Sequence, residues 1–363
     1  MQRLKDFQDP KLIRALIQHI EALSHSRSSY VLMEVCGTHT QAIGRWGLRE
    51  LLPPQVRLVS GPGCPVCVTP GEYIDNACRL ALEREAVIVS FGDLLRVPGE
   101  TSSLEEAKGE GADVRLAYSP FQALSIARSV EREVVFLAVG FETTACGIAS
   151  AVRAAREEGV ENLSFYLAAK RIPPALDALL QDPEIRLDGL VLPGHVSTVI
   201  GTRPYGVLLK HGVPGAVAGF EPAEILKAVE SLLAAANDGR VSIENLYPHA
   251  VREEGNPTAL AAMDAVFVPA DAVWRGIGSI PDSGFRLREE YAALDAERRF
   301  NLGPVSSRMK PGCLCGEVLK GKLAPDHCPL FGRACTPAAP QGPCMVSSEG
   351  SCSAWYKYHP AGV

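Results

Sequence analysis

The eleven cysteines of this chain fall into two groups that suggest two kinds of chemistry. Five lie within the first 146 residues, and six lie between Cys313 and Cys352. Residues 1–18 carry charges and lack the apolar core of a secretion signal, so we expect a cytoplasmic protein. Because the cytosol keeps thiols reduced, metal binding or redox chemistry is a better expectation than a structural disulfide framework.

Cys36 is the first candidate for chemistry. It follows a predicted strand at 30–35 and opens the sequence Cys-Gly-Thr-His, which ends at His39. A thiolate at a helix start is stabilised by backbone N–H groups and the helix dipole, which makes it nucleophilic and a good ligand for soft metals. A buried cysteine that only fills space is the ordinary alternative. The neighbouring Gly, Thr and His favour a functional cysteine, with His39 sharing its site.

Cys64 and Cys67 form a CxxC pair between a predicted strand at 56–60 and a helix that starts near Pro70. A dithiol at that position can cycle with a disulfide, because the sulfurs are close and the helix start stabilises a thiolate. Structural zinc is the alternative, but it usually needs a second matching pair nearby. The sequence therefore favours redox or transient metal work.

Further polar residues follow other predicted strands. Asp93, Glu142 and His195 could move protons, orient ligands or bind a nucleotide, and each has an ordinary alternative as a helix-cap or turn residue. Thr143 and Thr144 fit an N-cap as well as a phosphate or cyanide contact. The chain has no GxxxxGK[ST] loop, so any use of ATP would not follow the P-loop pattern.

The tail holds the most specific local signal. Four widely spaced cysteines lie near Pro or Gly, which keep the backbone irregular: Cys313, Cys328, Cys335 and Cys352. Four thiolates delivered from loops suit a [4Fe–4S] cluster better than four-cysteine zinc, which usually uses paired short spacings. Cys315 could replace Cys313 as the first ligand, and Cys344 is spare. Cys78 and Cys146 fall on apolar helix faces and are assigned to core packing.

Short apolar runs alternate with helical segments from residue 30 to about 240, which predicts an α/β fold with parallel sheets of Rossmann-like type. We expect an N-terminal helix in 1–29 that packs with the tail, α/β domains at 30–118 and 119–240, and a cysteine-rich Fe–S domain at 241–363. Residues 99–113 are a candidate lid or interdomain crossing. Ligands bind beyond the carboxyl ends of parallel strands, so the loops that hold these residues should line one cleft between the two sheets.

Composition excludes two classes of partner. The 363 residues carry a net charge of −6 and no basic face, which argues against nucleic acid and anionic membranes. The longest apolar runs, such as 134–140, have the length of a strand and cannot span a bilayer.

Five motifs in one order resemble those of the HypD family of [NiFe]-hydrogenase maturation proteins, and the likeness covers nearly the whole chain. They are the segments 36–39 (CGTH), 61–67 (GPGCPVC), 140–144 (GFETT) and 193–197 (PGHVS), and the tail from 328–331 (CPLF) through 347–350 (SSEG). The resemblance implies a scaffold on which two cyanides and a carbon monoxide are installed on iron held by Cys36.

The resemblance also implies partners and residue roles. A small chaperone, HypC, would share the iron with Cys36 through its N-terminal cysteine, and HypE would deliver cyanide made with HypF. Cys64 and Cys67 would be a redox pair that exchanges electrons with the tail cluster, and some members hydrolyse ATP. The competing interpretation is a [4Fe–4S]-dependent thiol/disulfide oxidoreductase with a separate substrate, which leaves Cys36 and His39 without a role.

Overall fold

The computed structural model describes residues 7–359. Eleven strands are present in this range: β1 (Tyr30–Glu34), β2 (Val56–Ser60), β3 (Val87–Ser90), β4 (Val114–Leu116), β5 (Val134–Ala138), β6 (Leu163–Leu167), β7 (Gly189–Pro193), β8 (Gly215–Ala218), β9 (Ile243–Asn245), β10 (Phe267–Trp274) and β11 (Gly278–Leu287). The first α-helices are α1 (Pro10–Ser24), α2 (Gly37–Arg45), α3 (Leu48–Leu51), α4 (Gly71–Glu83), α5 (Leu104–Gly109), α6 (Phe121–Arg128) and α7 (Glu142–Glu157). They continue with α8 (Ile172–Leu180), α9 (Gly194–Ile200), α10 (Pro222–Asp238), α11 (Pro257–Val266), α12 (Ala296–Arg299), α13 (Cys315–Leu319) and α14 (Ser351–Tyr358). Short 3₁₀ helices cover Gly92–Leu94, Arg203–His211, Glu289–Leu294, Pro325–His327 and Pro343–Met345.

Two parallel sheets form the body of the protein. The first has the strand order β2-β1-β7-β8-β9, the second has the order β4-β3-β5-β6, and β10 and β11 pair as an antiparallel hairpin. Every residue of the inner strands β3, β5, β7 and β8 is buried, as expected for parallel sheets that helices cover on both faces. The predicted α/β class with parallel sheets is confirmed.

The chain divides between the sheets differently from the expected borders. Strand β1 pairs with β7, so residues 30–60 and 189–245 build the first sheet, whereas 87–167 build the second. The expected border at residue 118 falls inside the second sheet, between β4 and β5. Alternation along the chain predicts the elements but not which strands pair in space, and this is why the topology differs.

Helix α1 packs against α10 on the outer side of the first sheet rather than against the tail. Leu16 and Ile20 of α1 share an apolar cluster with Leu226 and Val229 of α10. The apolar residues of α1 recur at helical spacing, which predicts that one face of this helix is buried, and α10 covers that face. The helix therefore belongs with the first sheet.

Residues 99–113 form a connection within the second sheet, not a lid or a crossing between sheets. Ser103 caps helix α5, and the carboxylate of Glu106 accepts a hydrogen bond from the backbone N–H of Ser103, which completes a capping box. The helix leads into β4, which pairs with β3. The charged residues of this segment are explained by the capped, exposed helix.

The hairpin of β10 and β11, which the sequence analysis did not predict, joins the second sheet to the cysteine-rich tail. Trp274 is fully buried and stacks on Phe141 at a ring distance of 5.9 Å. Gly276 has a φ of +78°, and a Cβ there would lie 2.7 Å from the Cα of Gly316 in the tail. Glycine is therefore required on conformational and steric grounds at this junction.

The helices found in residues 7–359 are too short or too polar to cross a bilayer.

Candidate metal and redox site

Cys36 lies buried between β1 and α2, directly against the loop that holds the CxxC pair. The backbone N–H of Gly37 donates to the carbonyl of Gly63 over 2.9 Å. A Cβ on Gly63 would lie 2.3 Å from the backbone nitrogen of Cys36, so only glycine allows the two loops to approach this closely. Because β1 and β2 are parallel neighbours, their carboxyl ends bring the two cysteine motifs together.

The Cys36 thiol differs from the sequence expectation in its acidity. Burial raises its pKa to about 12, and this effect outweighs the backbone N–H of His39 at the start of α2, which lowers it. The nearby carboxylates of Glu349 and Glu34 raise it further. A coordinated metal ion deprotonates a thiol outright, so this high pKa of the free thiol is compatible with metal ligation but not with a free, reactive thiolate.

Glu34 is a buried carboxylate beside Cys36 that the sequence analysis missed. It accepts hydrogen bonds from the backbone N–H of Cys36 at 3.3 Å and from the hydroxyl of Thr40 at 2.6 Å, and Arg49 lies 4.0 Å away. Burial raises its pKa to about 7. The sequence does contain a signal for Glu34: it is the one charged residue in an otherwise apolar strand and lies two residues before Cys36.

Two histidines flank one aromatic ring next to this loop. The rings of His39 and His195 lie 4.9 Å and 4.0 Å from the ring of Phe220. His39 donates from Nε2 to the carbonyl of Gly219 over 2.8 Å, which leaves the lone pair on Nδ1, and Nδ1 is buried with no hydrogen-bond partner in the described chain. Burial lowers the pKa of His39 to about 4, so the imidazole is neutral and able to bind a metal ion.

Cys64 and Cys67 form a disulfide. Both are almost fully inaccessible, at 2% and 0% exposure. The backbone carbonyl of Val68, the next residue, accepts from the backbone N–H of Arg275 over 2.8 Å. The pair is thus an enclosed disulfide held against the tip of the β10–β11 hairpin.

The tail segment 347–349 reaches the Cys36 loop. Ser347 donates to the carboxylate of Asp93 over 2.9 Å, and Thr38 donates to the carboxylate of Glu349 over 3.0 Å. Asp93, predicted as a site residue, therefore meets the tail. Glu349 is a further polar group at this place that the sequence analysis did not single out, because the contact spans 311 residues.

Glu142 lies at the start of α7 and contacts the start of α8. Its Oε1 accepts from the backbone N–H of Ile172 over 2.9 Å, and burial raises its pKa to about 7. Thr143 and Thr144 occupy the first turn of α7, and the N-cap is Phe141. This placement removes the N-cap alternative for both threonines. Thr144 also packs on Gly140, where a Cβ would lie 2.3 Å from the Thr144 Cβ.

The tail brings six cysteines to one pocket. Leu330, Phe331 and Met345 also line it, together with Cys313, Cys315, Cys328, Cys335, Cys344 and Cys352. Within residues 7–359, no three side chains of His, Cys, Asp or Glu already stand as a metal-binding group. The donor set, six soft thiols around an apolar pocket, nevertheless fits an iron–sulfur cluster, which takes four.

The thiols of this pocket influence one another. Hydrogen bonds from Cys313 and Cys344 lower the pKa of Cys315 well below its ordinary value, and the charge of the buried Arg275 lowers it further. The same contacts raise the pKa of Cys313 and Cys344. Since the backbone N–H of Arg275 also donates to the carbonyl of Val68, this residue connects the cysteine pocket with the disulfide loop.

Comparison with known proteins confirms the resemblance to the HypD family. The HypD family model, described as "Hydrogenase formation hypA family", matches residues 11–359. The chain is 44% identical to the hydrogenase maturation factor HypD of Cupriavidus necator over 99% of this chain and 97% of that protein. It is 42% identical to the HypD of Escherichia coli over 99% and 98% of the two chains. The chain therefore belongs to the HypD family of hydrogenase maturation factors.

Proposed function

We propose that this protein is a scaffold and redox protein for assembly of the Fe(CN)₂CO group of [NiFe]-hydrogenase. The observation that carries the proposal is the direct packing of the Cys36 loop on the loop of Cys64 and Cys67, with a 2.9 Å hydrogen bond from Gly37 to Gly63. Cys36 would bind the iron, and the Cys64–Cys67 pair next to it can exchange two electrons. This combination suits the transfer of cyanide to iron, because that transfer consumes electrons.

The iron is the cargo, and Cys36 is its proposed ligand. A soft thiolate suits iron that carries strong-field cyanide and carbon monoxide. His39, three residues further along the chain, offers a neutral, buried nitrogen as a second candidate ligand. Glu34 holds the backbone N–H of Cys36 and so fixes the loop that presents the thiol.

The disulfide of Cys64 and Cys67 accounts for the electrons. Closing it from the dithiol releases two electrons and two protons. Freeing cyanide ion from a partner-bound cyano group breaks the bond between carbon and carrier atom, takes up two electrons and places one proton on the carrier. The cyanide then binds the iron on Cys36, the second proton is released, and the disulfide is the state left after transfer.

The tail is the proposed site of a [4Fe–4S] cluster held by Cys313, Cys328, Cys335 and Cys352, with Cys315 as the alternative to Cys313. Such a cluster supplies single electrons when bound. The backbone N–H of Arg275 donates to Val68, and the charge of Arg275 lowers the pKa of Cys315. Arg275 therefore lies between the cysteine pocket and the disulfide loop and connects them.

Family membership supports the partners. HypC would provide a second cysteine ligand to the iron on Cys36, and HypE, working with HypF, would deliver cyanide. The proposed partners are proteins and not nucleic acid or membrane.

The test is infrared spectroscopy of the complex purified with its HypC partner. We expect cyanide and carbonyl bands in the wild type and their loss in Cys36→Ala. Cys78→Ala is the matched control, because Cys78 is also buried but packs in a different cluster from Cys64 and Cys67. Full bands in Cys36→Ala would disprove the proposed role of Cys36.

The alternative, an oxidoreductase acting on a separate disulfide, is disfavoured because it gives no role to Cys36 and His39. In that alternative Cys64 and Cys67 exchange with the substrate disulfide, and the packing of the Cys36 loop on their loop has no function. Rapid turnover of a protein disulfide, in a sample without cyanide or carbonyl bands, would favour that alternative.

A further inference from the structure

We propose that a cavity beside Glu142 binds a small amphipathic anion: a molecule with an apolar ring, a carboxylate or phosphate at one end, and an N–H or O–H donor at the other. The cavity has a volume of about 300 Å³. Its lining includes Glu142, Arg171, Arg203, Met263, Phe267 and Phe285. This second ligand site is independent of the proposed assembly of iron ligands.

The inner end of the cavity carries a carboxyl group with unused hydrogen-bonding capacity. Glu142 is 3% exposed, and one oxygen, Oε1, accepts from the backbone of Ile172. The other oxygen, Oε2, is buried and has no partner among residues 7–359. A buried polar atom left without a partner costs free energy, so a ligand that donates to Oε2 recovers that cost.

The mouth of the cavity carries two guanidinium groups, of Arg171 and Arg203, together with the exposed carboxylates of Glu254 and Asp264. Arg171 donates from one nitrogen to the carbonyl of Asp282 over 2.8 Å, which fixes its side chain and leaves further donors. Arg203 is 67% exposed, and it lies 3.5 Å and 3.7 Å from the exposed carboxylates of Glu254 and Glu253. Exposed ion pairs of this kind are weak, so a bound anion can displace them. Guanidinium groups suit carboxylate and phosphate because they donate two parallel hydrogen bonds.

The walls between these ends are apolar. Phe267 and Phe285 pack on each other at a ring distance of 5.2 Å, and both line the cavity together with Met263. A volume of this order is typical of small-molecule sites, which combine apolar walls with a few polar groups that set orientation. A buried carboxyl oxygen without a hydrogen-bond partner, apolar walls and two guanidinium groups at the mouth together define the ligand class stated above.

The lining of the cavity does not include Cys36, Cys64 or Cys67. Pro204 belongs to the cavity wall, and the adjacent Tyr205 is buried with its hydroxyl 3.1 Å from that of Ser197. Burial raises the pKa of Tyr205, and the ionisable groups of Glu142 and Cys36 both contribute to the same rise. Tyr205 is therefore within electrostatic reach of both sites.

The experiment is calorimetric titration of the full chain with 4-aminobenzoate, which has all three features. Benzoate lacks the donor, and aniline lacks the anion. We expect saturable binding of 4-aminobenzoate and weaker binding of both controls, by about tenfold for each missing charged hydrogen bond. Failure of 4-aminobenzoate to saturate at millimolar concentration would overturn the proposal.

Variants assign the contacts. Arg171→Met and Arg203→Met should each weaken 4-aminobenzoate and benzoate alike, whereas Glu142→Met should reduce 4-aminobenzoate to the affinity of benzoate. Arg153→Met is the matched control, because Arg153 pairs with Glu157 on the exposed side of α7. Circular dichroism identifies variants that fold, and Arg171→Lys and Glu142→Gln replace any that do not. Equal affinity in the folded cavity variants and the Arg153 control would overturn the site.

Discussion

The hydroxyl of Thr38 donates a 3.0 Å hydrogen bond to the carboxylate of Glu349, which ties the start of α2, next to Cys36, to the cysteine-rich tail. A Cβ on Gly37 would lie 2.3 Å from the Cβ of Glu349, so the two segments are in close contact. Gly350 in turn packs on the backbone of Cys344, which lines the cysteine pocket. Order in the tail and order at Cys36 are therefore physically connected.

This contact predicts energetic coupling between Thr38 and Glu349. A double-mutant cycle of Thr38→Val and Glu349→Ala should give a coupling free energy of about 1–2 kcal/mol, the range for a half-buried hydrogen bond to a charged group. Urea unfolding measures it. Alkylation of Cys36 by iodoacetamide should quicken in either single variant, because the loop that buries the thiol loses a contact. A coupling free energy near zero would show that the contact does not hold the two segments together.

Close packing of Gly63 on Cys36 predicts that Gly63→Ala is destabilising. The added Cβ would lie 2.3–2.5 Å from backbone atoms of Val35 and Cys36, so the loops must separate. We expect a loss of about 1–3 kcal/mol in the free energy of unfolding, as for other overpacked sites. Iron binding by Cys36 should fall as well. Gly109→Ala, at a helical glycine with open space around it, is the control and should not lower the stability; equal stability of the two variants would contradict the packing argument.

Much of the candidate site could be predicted from the residues that follow the carboxyl ends of the predicted strands. Cys36 and the CxxC pair follow β1 and β2, and neighbouring parallel strands had to bring them together. The other residues of the site, Glu349 and Arg275, could not be predicted in this way. They belong to distant segments of the chain, and their contacts with the site leave no local sequence pattern. The high pKa of Cys36 was missed for a related reason: a helix start favours a thiolate, but the depth of burial decides the outcome and depends on the tertiary fold.

The shared cysteine pocket predicts which substitutions remove the cluster. Cys335→Ser should lose the iron and acid-labile sulfide of the tail and the brown colour, because it removes one of four proposed ligands. Cys344→Ser should keep them, although Cys344 lines the same pocket. Elemental analysis and electron paramagnetic resonance after reduction provide the measurement. Cys146→Ser, at a half-buried cysteine of α7, serves as the control. Zinc in place of iron in the wild type would exclude the cluster.

Lys170 predicts a pH dependence of stability. It is 2% exposed, its Nζ donates to the carbonyl of Val273 over 2.8 Å, and burial lowers its pKa to about 7. Between this value and the 10.5 of an unfolded lysine, the unfolded chain binds more protons than the folded chain, so the free energy of unfolding rises with pH in this window.

The slope due to Lys170 is at most about 1.4 kcal/mol per pH unit. Below pH 7 both states carry the charge, and the cost of burying it is fully present. Lys170→Met should therefore gain most stability over the wild type at pH 6–7 and progressively less toward pH 10. Urea unfolding across that range, with the exposed Lys210→Met as control, measures the difference. A pH-independent gap between Lys170→Met and the wild type would mean that Lys170 titrates alike in the folded and unfolded chain.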